Sequence, residues 1–229
     1  MLAMLVCLQV FALPPPHLAT PPGNEPPLPS KEVVWCGLDY SMVKMIGGAK
    51  FDYGFDKPDL IFPAMPKSWN QLFLDERLED VSADLNRRVL IDIDGVSSNN
   101  LKATASQIIL SPSDEDAIGK THITPEIIAD EVKSYSLNHT NGLALVFIVD
   151  RFVFAYHKQQ LNNVNSVYSK SSNGAVYIVF FDVSTRQVIS AKREVNHITT
   201  GVSFRNFWFG PIKDTASTLD KYRDLRSNF

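Results

Sequence analysis

Two apolar runs, LALVFIV at 143–149 and AVYIVFFDV at 175–183, constrain the fold more than any other part of the chain. Neither alternates with polar residues, so each reads as a strand covered on both faces, in the middle of a sheet with helices packed on it. Glu32 to Tyr40, rich in Val and Trp, and VLIDID at 89–94 read as further strands, and Asp59 to Phe62 as a short one. In QVISAKREV at 187–195, Ile189, Ala191 and Val195 alternate with Ser190, Lys192 and Glu194, the pattern of a strand with one wet face near an edge. Ser184, Thr185 and Arg186 leave room only for a tight connection, which makes this strand antiparallel to the one before it.

Helices are marked by spacing and caps. Ser68 is the expected N-cap of a helix in which Trp69, Leu72, Phe73, Leu78, Val81 and Leu85 recur at three and four residues, with Arg87 and Arg88 at its negative end. Thr124, Pro125 and Glu126 present cap, N1 proline and first-turn acid in order, for a helix to about Asn138 that Gly142 ends. Gly210 and Pro211 open a closing helix with Ile212, Leu219 and Tyr222 on one stripe. Gly95 to His122 is polar and shows no clear period, and SPSDED at 111–116 reads as a solvated loop. The expected fold is α/β (α+β): one domain over residues 32–229, a mixed sheet with an antiparallel C-terminal hairpin, covered by about three helices.

Ahead of this domain, MLAMLVCLQVFA is an uncharged apolar run too short to span a bilayer and of the length of a signal-peptide core. Cleavage after Ala12 is expected, with Ala19 as the alternative, which places the protein outside the cytoplasm, and in the periplasm or at the outer membrane if the producing cell is bacterial. Lipidation at Cys7 would need a small residue before it, and Val6 stands there. Eight prolines between Leu13 and Pro29 make residues 13–31 an extended tether. Removal of Cys7 leaves Cys36 as the sole cysteine, inside VVWCGL, where a small buried hydrophobe is the simpler reading. A net charge of −3 offers no basic excess for nucleic acid, and no further stretch reads as a transmembrane span.

LIDIDGV at 90–96 resembles the first motif of haloacid-dehalogenase-type phosphatases. The resemblance implies Asp92 as nucleophile, Asp94 as acid/base and a magnesium ion neutralising the phosphate. Two residues apart on a strand, both carboxylates would share a face. That family also needs a downstream lysine and a late acidic pair at the end of another strand. Asp114, Glu115 and Asp116 follow no strand, and Asp182 stands alone. A simpler reading makes the two acids turn caps at a strand end. GLDYS at 37–41 faintly resembles the phosphate loop of sugar-kinase and actin-like folds but lacks its small residues. No two of His122, His139, His157 and His197 stand at ligand spacing, so no metal or cofactor is expected outside the phosphatase reading. Asn138-His139-Thr140 has the form of a glycosylation acceptor. In FRNFWF at 204–209, Arg205, Phe207 and Trp208 would suit a flat ligand or a partner chain, although aromatics beside a terminal helix are more often core.

The C-terminal half, with GLALVFIV, AVYIVFFDVSTRQVISAKREV and FRNFW, resembles exported proteins of Gram-negative bacteria. More distantly, it resembles the α/β domain at the N-terminus of TolB-like envelope lipoproteins, with Asp182, Thr185 and Val188 matching a recurring hairpin. What this implies is a non-catalytic envelope binding or assembly module, with another cell-envelope protein as its partner. A magnesium-dependent phosphohydrolase using Asp92 and Asp94 is the second reading, and a binder of a small apolar ligand beside Arg205, Phe207 and Trp208 the third.

Overall fold

The computed structural model describes residues 31–47, 61–62, 64–110, 115–161, 165–197 and 204–225. The signal, nearly all of the tether, and residues 59 and 60 of the expected short strand lie outside these. The elements are β1 (Glu32–Asp39), β2 (Lys44–Gly47), α1 (Ala64–Glu76), α2 (Leu78–Leu85), β3 (Arg88–Ile91), α3 (Asp94–Asn100), β4 (Ile108–Leu110), α4 (Pro125–Ser134), β5 (Leu143–Leu161), β6 (Asn165–Asp182), β7 (Val188–His197) and α5 (Phe204–Ala216). Together they form one mixed α/β domain.

The sheet is organised around β5. One edge of β5 pairs in parallel with β1 along its first half and with β2 just beyond, so β1 and β2 lie end to end across a turn at Tyr40–Val43. Parallel partners β3 and β4 flank β1 and β2. The other edge pairs antiparallel with β6 from Leu143↔Asp182 to Leu161↔Asn165, and β7 closes that side. Both expected central runs therefore sit in the middle of the sheet, with Phe147 and Phe180 buried.

Helices α1, α2 and α5 cover one face, where Trp35, Trp69, Phe73, Phe147, Phe180 and Trp208 dominate the core. Trp35 stacks on Phe73 at 4.3 Å and meets Phe147 edge-on at 5.1 Å, arrangements that add to simple burial. The opposite face packs Cys36, Val146, Val179 and Phe181 beneath α4 through Ile128 and Val132, with Val96 of α3. A bulge in β1 makes the change of face: Cys36 is the extra residue between Trp35 and Gly37, and Gly37 takes φ +108°, open to glycine and strained for other residues.

Several boundaries differ from expectation. Ser68 is not the cap of α1, which begins at Ala64; Pro66 fits inside its first turn because its missing N–H is an unpaired donor there anyway. The helix breaks at Arg77, and α2 ends on Asn86 in the left-handed region, at φ 51°. Ile61 is helical, not extended. Five α-helices are described instead of about three, because the first expected helix is split into α1 and α2 and the polar stretch after Gly95 hides α3, which like β4 is too short to show a period. Thr124 caps α4 as expected, accepting from the Ile127 N–H at 3.4 Å, but α4 stops at Ser134, where Tyr135 turns extended. The closing helix begins six residues before Gly210 and carries Pro211 inside it; Leu219 and Tyr222 belong to a separate 3₁₀ turn.

Candidate functional site

The chain runs from β1 through β2, crosses one face through α1 and α2 to reach β3, and then returns by way of α3 and β4, and across the other face through α4, to β5 on the far side of β1. Such a reversal leaves a crevice at the carboxyl ends of the parallel strands, where α/β sheets commonly bind ligands. Here the crevice is a cleft of about 540 Å³ between α1 and α3, within the range of small-molecule sites.

Its floor is built from two asparagines. Strand β3 pairs with β1 only as far as Trp35, so the edge of β1 beyond it needs other partners. Asn70 of α1 supplies them, accepting from the Leu38 N–H at 2.7 Å and donating to the Leu38 carbonyl at 3.0 Å. Asn100 of α3 donates to the same carbonyl at 2.8 Å and accepts from the Tyr40 N–H at 2.5 Å. Both amides are thus spent on the main chain and hold the two walls to the sheet. What remains for a ligand is Lys67 and Gln71 on α1, Asp94 and Ser97 on α3, and the apolar surface of Ile93 and Leu101.

Asp92 and Asp94 do not share a face. The strand stops at Ile91 and α3 starts at Asp94, so the two carboxylates diverge. Asp94 lines the cleft. Asp92 is buried on the far side, where it accepts from the N–H of Asn138 (2.8 Å), the Asn138 amide (3.1 Å), the N–H of His139 (3.0 Å) and His139 Nδ1 (2.9 Å). Burial opposes its ionisation, but the donors from His139 and Asn138 outweigh that and hold its pKa below the usual carboxylate range. Gly95 of the same motif lies against Ser136: a Cβ there would stand 2.4 Å from the Ser136 carbonyl oxygen. LIDIDGV therefore docks the segment after α4.

Two further polar clusters escape sequence reading. Asp150, the extra residue of a bulge in β5, is fully buried and accepts from Arg193 at 2.8 Å, with Arg151 and His122 at 3.3 Å. It ties β5 and β7 to residues 117–122, since Arg193 also donates to the Ile118 carbonyl. Asp39, at the end of β1, accepts from the Ser41 N–H at 2.8 Å and from the Tyr135 hydroxyl at 2.6 Å. Burial, with the Glu131 charge nearby, pushes its pKa up to about 6. Glu131 itself accepts from Asn99 at 2.6 Å.

Of the aromatic cluster, Trp208 is fully buried, 5.1 Å from Phe152. Arg205 and Phe207 lie in the first turn of α5, their side chains outside the described residues. Cys36 is buried, and desolvation with the Asp92 charge pushes its thiol well above its ordinary pKa. Among the described residues no three His, Cys, Asp or Glu side chains converge as metal ligands would, and no helix is long and apolar enough to cross a membrane.

No protein-family model matches the chain, and no curated protein matches it. Among solved structures, a neuraminyllactose-binding hemagglutinin homolog from Helicobacter pylori is similar at 11% identity and TM-score 0.31, with 91% of each chain covered. A hypothetical protein from Chlamydia trachomatis is similar at 11% identity and TM-score 0.32, covering 85% of this chain and 93% of its own. Neither is described as a TolB-type domain, and at these values neither bears on function here.

Proposed function

We propose that this chain is an exported, non-catalytic module that binds another component of the cell envelope through the cleft between α1 and α3. The observation that carries the reading is the division of the acidic motif. Asp92 is saturated by the Asn138–His139 segment, which favours a structural role over attack on phosphorus, whereas Asp94 faces an open cleft at the sheet's reversal point. A phosphohydrolase would want both carboxylates directed at one reacting centre.

The test is site-specific photocrosslinking in the producing cell, with fractionation and N-terminal sequencing of the product. A photoreactive residue at Leu101, 70% exposed at the cleft, is expected to give a discrete adduct in the envelope fraction. One at Val195 of β7, exposed elsewhere on the sheet, is expected to give none. The mature chain should begin at Leu13. Retention of Met1 in the cytosol, or the same adducts from both positions, would overturn the proposal.

A further inference from the structure

Resting on the cleft as the binding site, we infer that it takes a small zwitterion, from amino-acid to short-peptide size with free termini, whose carboxylate meets Lys67 and whose ammonium group meets Asp94. These two side chains line the cleft from different helices, α1 and α3. Neither has an ion-pair or hydrogen-bond partner for its charged group among the described residues, and they do not pair with each other. A ligand carrying one sign of charge would be drawn to one wall and repelled by the other. Lys67 and Asp94 are both exposed, and a neutral ligand would gain nothing from either charge. A molecule bearing both signs satisfies both walls at once. Asn70 and Asn100 are occupied by the main chain of β1, which leaves Ser97 and the free carbonyl of Gln71 for neutral hydrogen bonds. Ile93, Pro66 and Leu101 supply apolar contact for a side chain, and a cavity volume of about 540 Å³ accommodates a dipeptide.

The experiment is calorimetric titration of the full chain with the dipeptide Gly-Leu, its amide Gly-Leu-NH₂, N-acetyl-Gly-Leu, and the doubly blocked peptide. Gly-Leu is expected to bind saturably with a Kd of about 1 mM or tighter, and each single block to weaken it about tenfold or more. Lys67→Met should abolish the discrimination between Gly-Leu and its amide. Asp94→Asn should abolish the discrimination between Gly-Leu and its acetyl derivative. Lys133→Met, on α4 and outside the lining of the cleft, should change neither. No saturable binding of Gly-Leu up to about 10 mM, or equal binding of the doubly blocked peptide, would overturn the inference. If Gly-Leu fails while Leu101 still gives its envelope adduct, the zwitterion is wrong and the cleft keeps its binding role; if both fail, both proposals fall.

Discussion

Nδ1 of His139 lies 2.9 Å from the Asp92 carboxylate, which also holds the main-chain N–H groups of Asn138 and His139. One buried acid at the end of β3 thereby fastens the loop between α4 and β5. Asp92→Asn keeps an acceptor for one N–H but turns a donor toward the others, and is expected to cost about 2–4 kcal/mol in chemical denaturation. The sign of its pH dependence follows from the depressed pKa: the carboxylate's contribution is present above its unfolded value near 4 and is lost as pH falls through the folded value. The acid limb of the stability curve should therefore be shallower in Asp92→Asn than in the parent.

Asn70 and Gln71 are neighbours in sequence with opposite expected sensitivities. Truncating Asn70 to alanine strands the buried Leu38 N–H at the open edge of β1, and should cost about 2–3 kcal/mol. Gln71→Ala removes only an exposed contact to Asp75, and should change stability by less than about 0.5 kcal/mol. Equal effects in urea denaturation would mean that the asparagine does not complete the sheet edge.

Asp39 titrates in the opposite sense from Asp92. Its folded pKa, about 6, lies above the 3.8 of the free group, so the folded state holds the proton more tightly and stability from this group is lost as pH rises from about 4 to 6. Asp39→Asn should gain on the parent across this window, and the difference between their unfolding free energies at pH 4 and pH 7 measures it. A difference independent of pH would contradict the raised pKa.

How much of this was legible follows from which residues carry a period. The continuous apolar runs at 143–149 and 175–183 placed the sheet centre, the tight connection at Ser184–Arg186 gave the antiparallel strand after it, and Thr124-Pro125-Glu126 fixed the start of α4. The alternation after Gln187, by contrast, misassigned the faces of β7, where Ala191 and Val195 are exposed and Glu194 is half-buried. The hairpin of β5 and β6 runs far past its apolar part, and that extension is hidden in the sequence because its outer residues, from Tyr156 to Gln160 and from Ser166 to Ser172, are mostly polar. The acidic motif was visible but its geometry was not. Whether Asp92 and Asp94 share a face depends on where β3 stops, and nothing in VLIDID marks Ile91 as its last residue. Lys67 and Gln71, four apart on α1, read as an ordinary solvated face; only the position of α3 across from them makes a cleft.

The most direct measurement of the central claim, that Asp92 is structural and the acidic motif non-catalytic, is turnover of p-nitrophenyl phosphate by the mature chain in the presence of magnesium. No hydrolysis above blank is predicted, with Asp92→Asn altering stability and leaving that result unchanged. Turnover at about 1 s⁻¹ or faster, abolished by Asp92→Asn in a protein that remains folded, would contradict the account and make Asp92 a nucleophile.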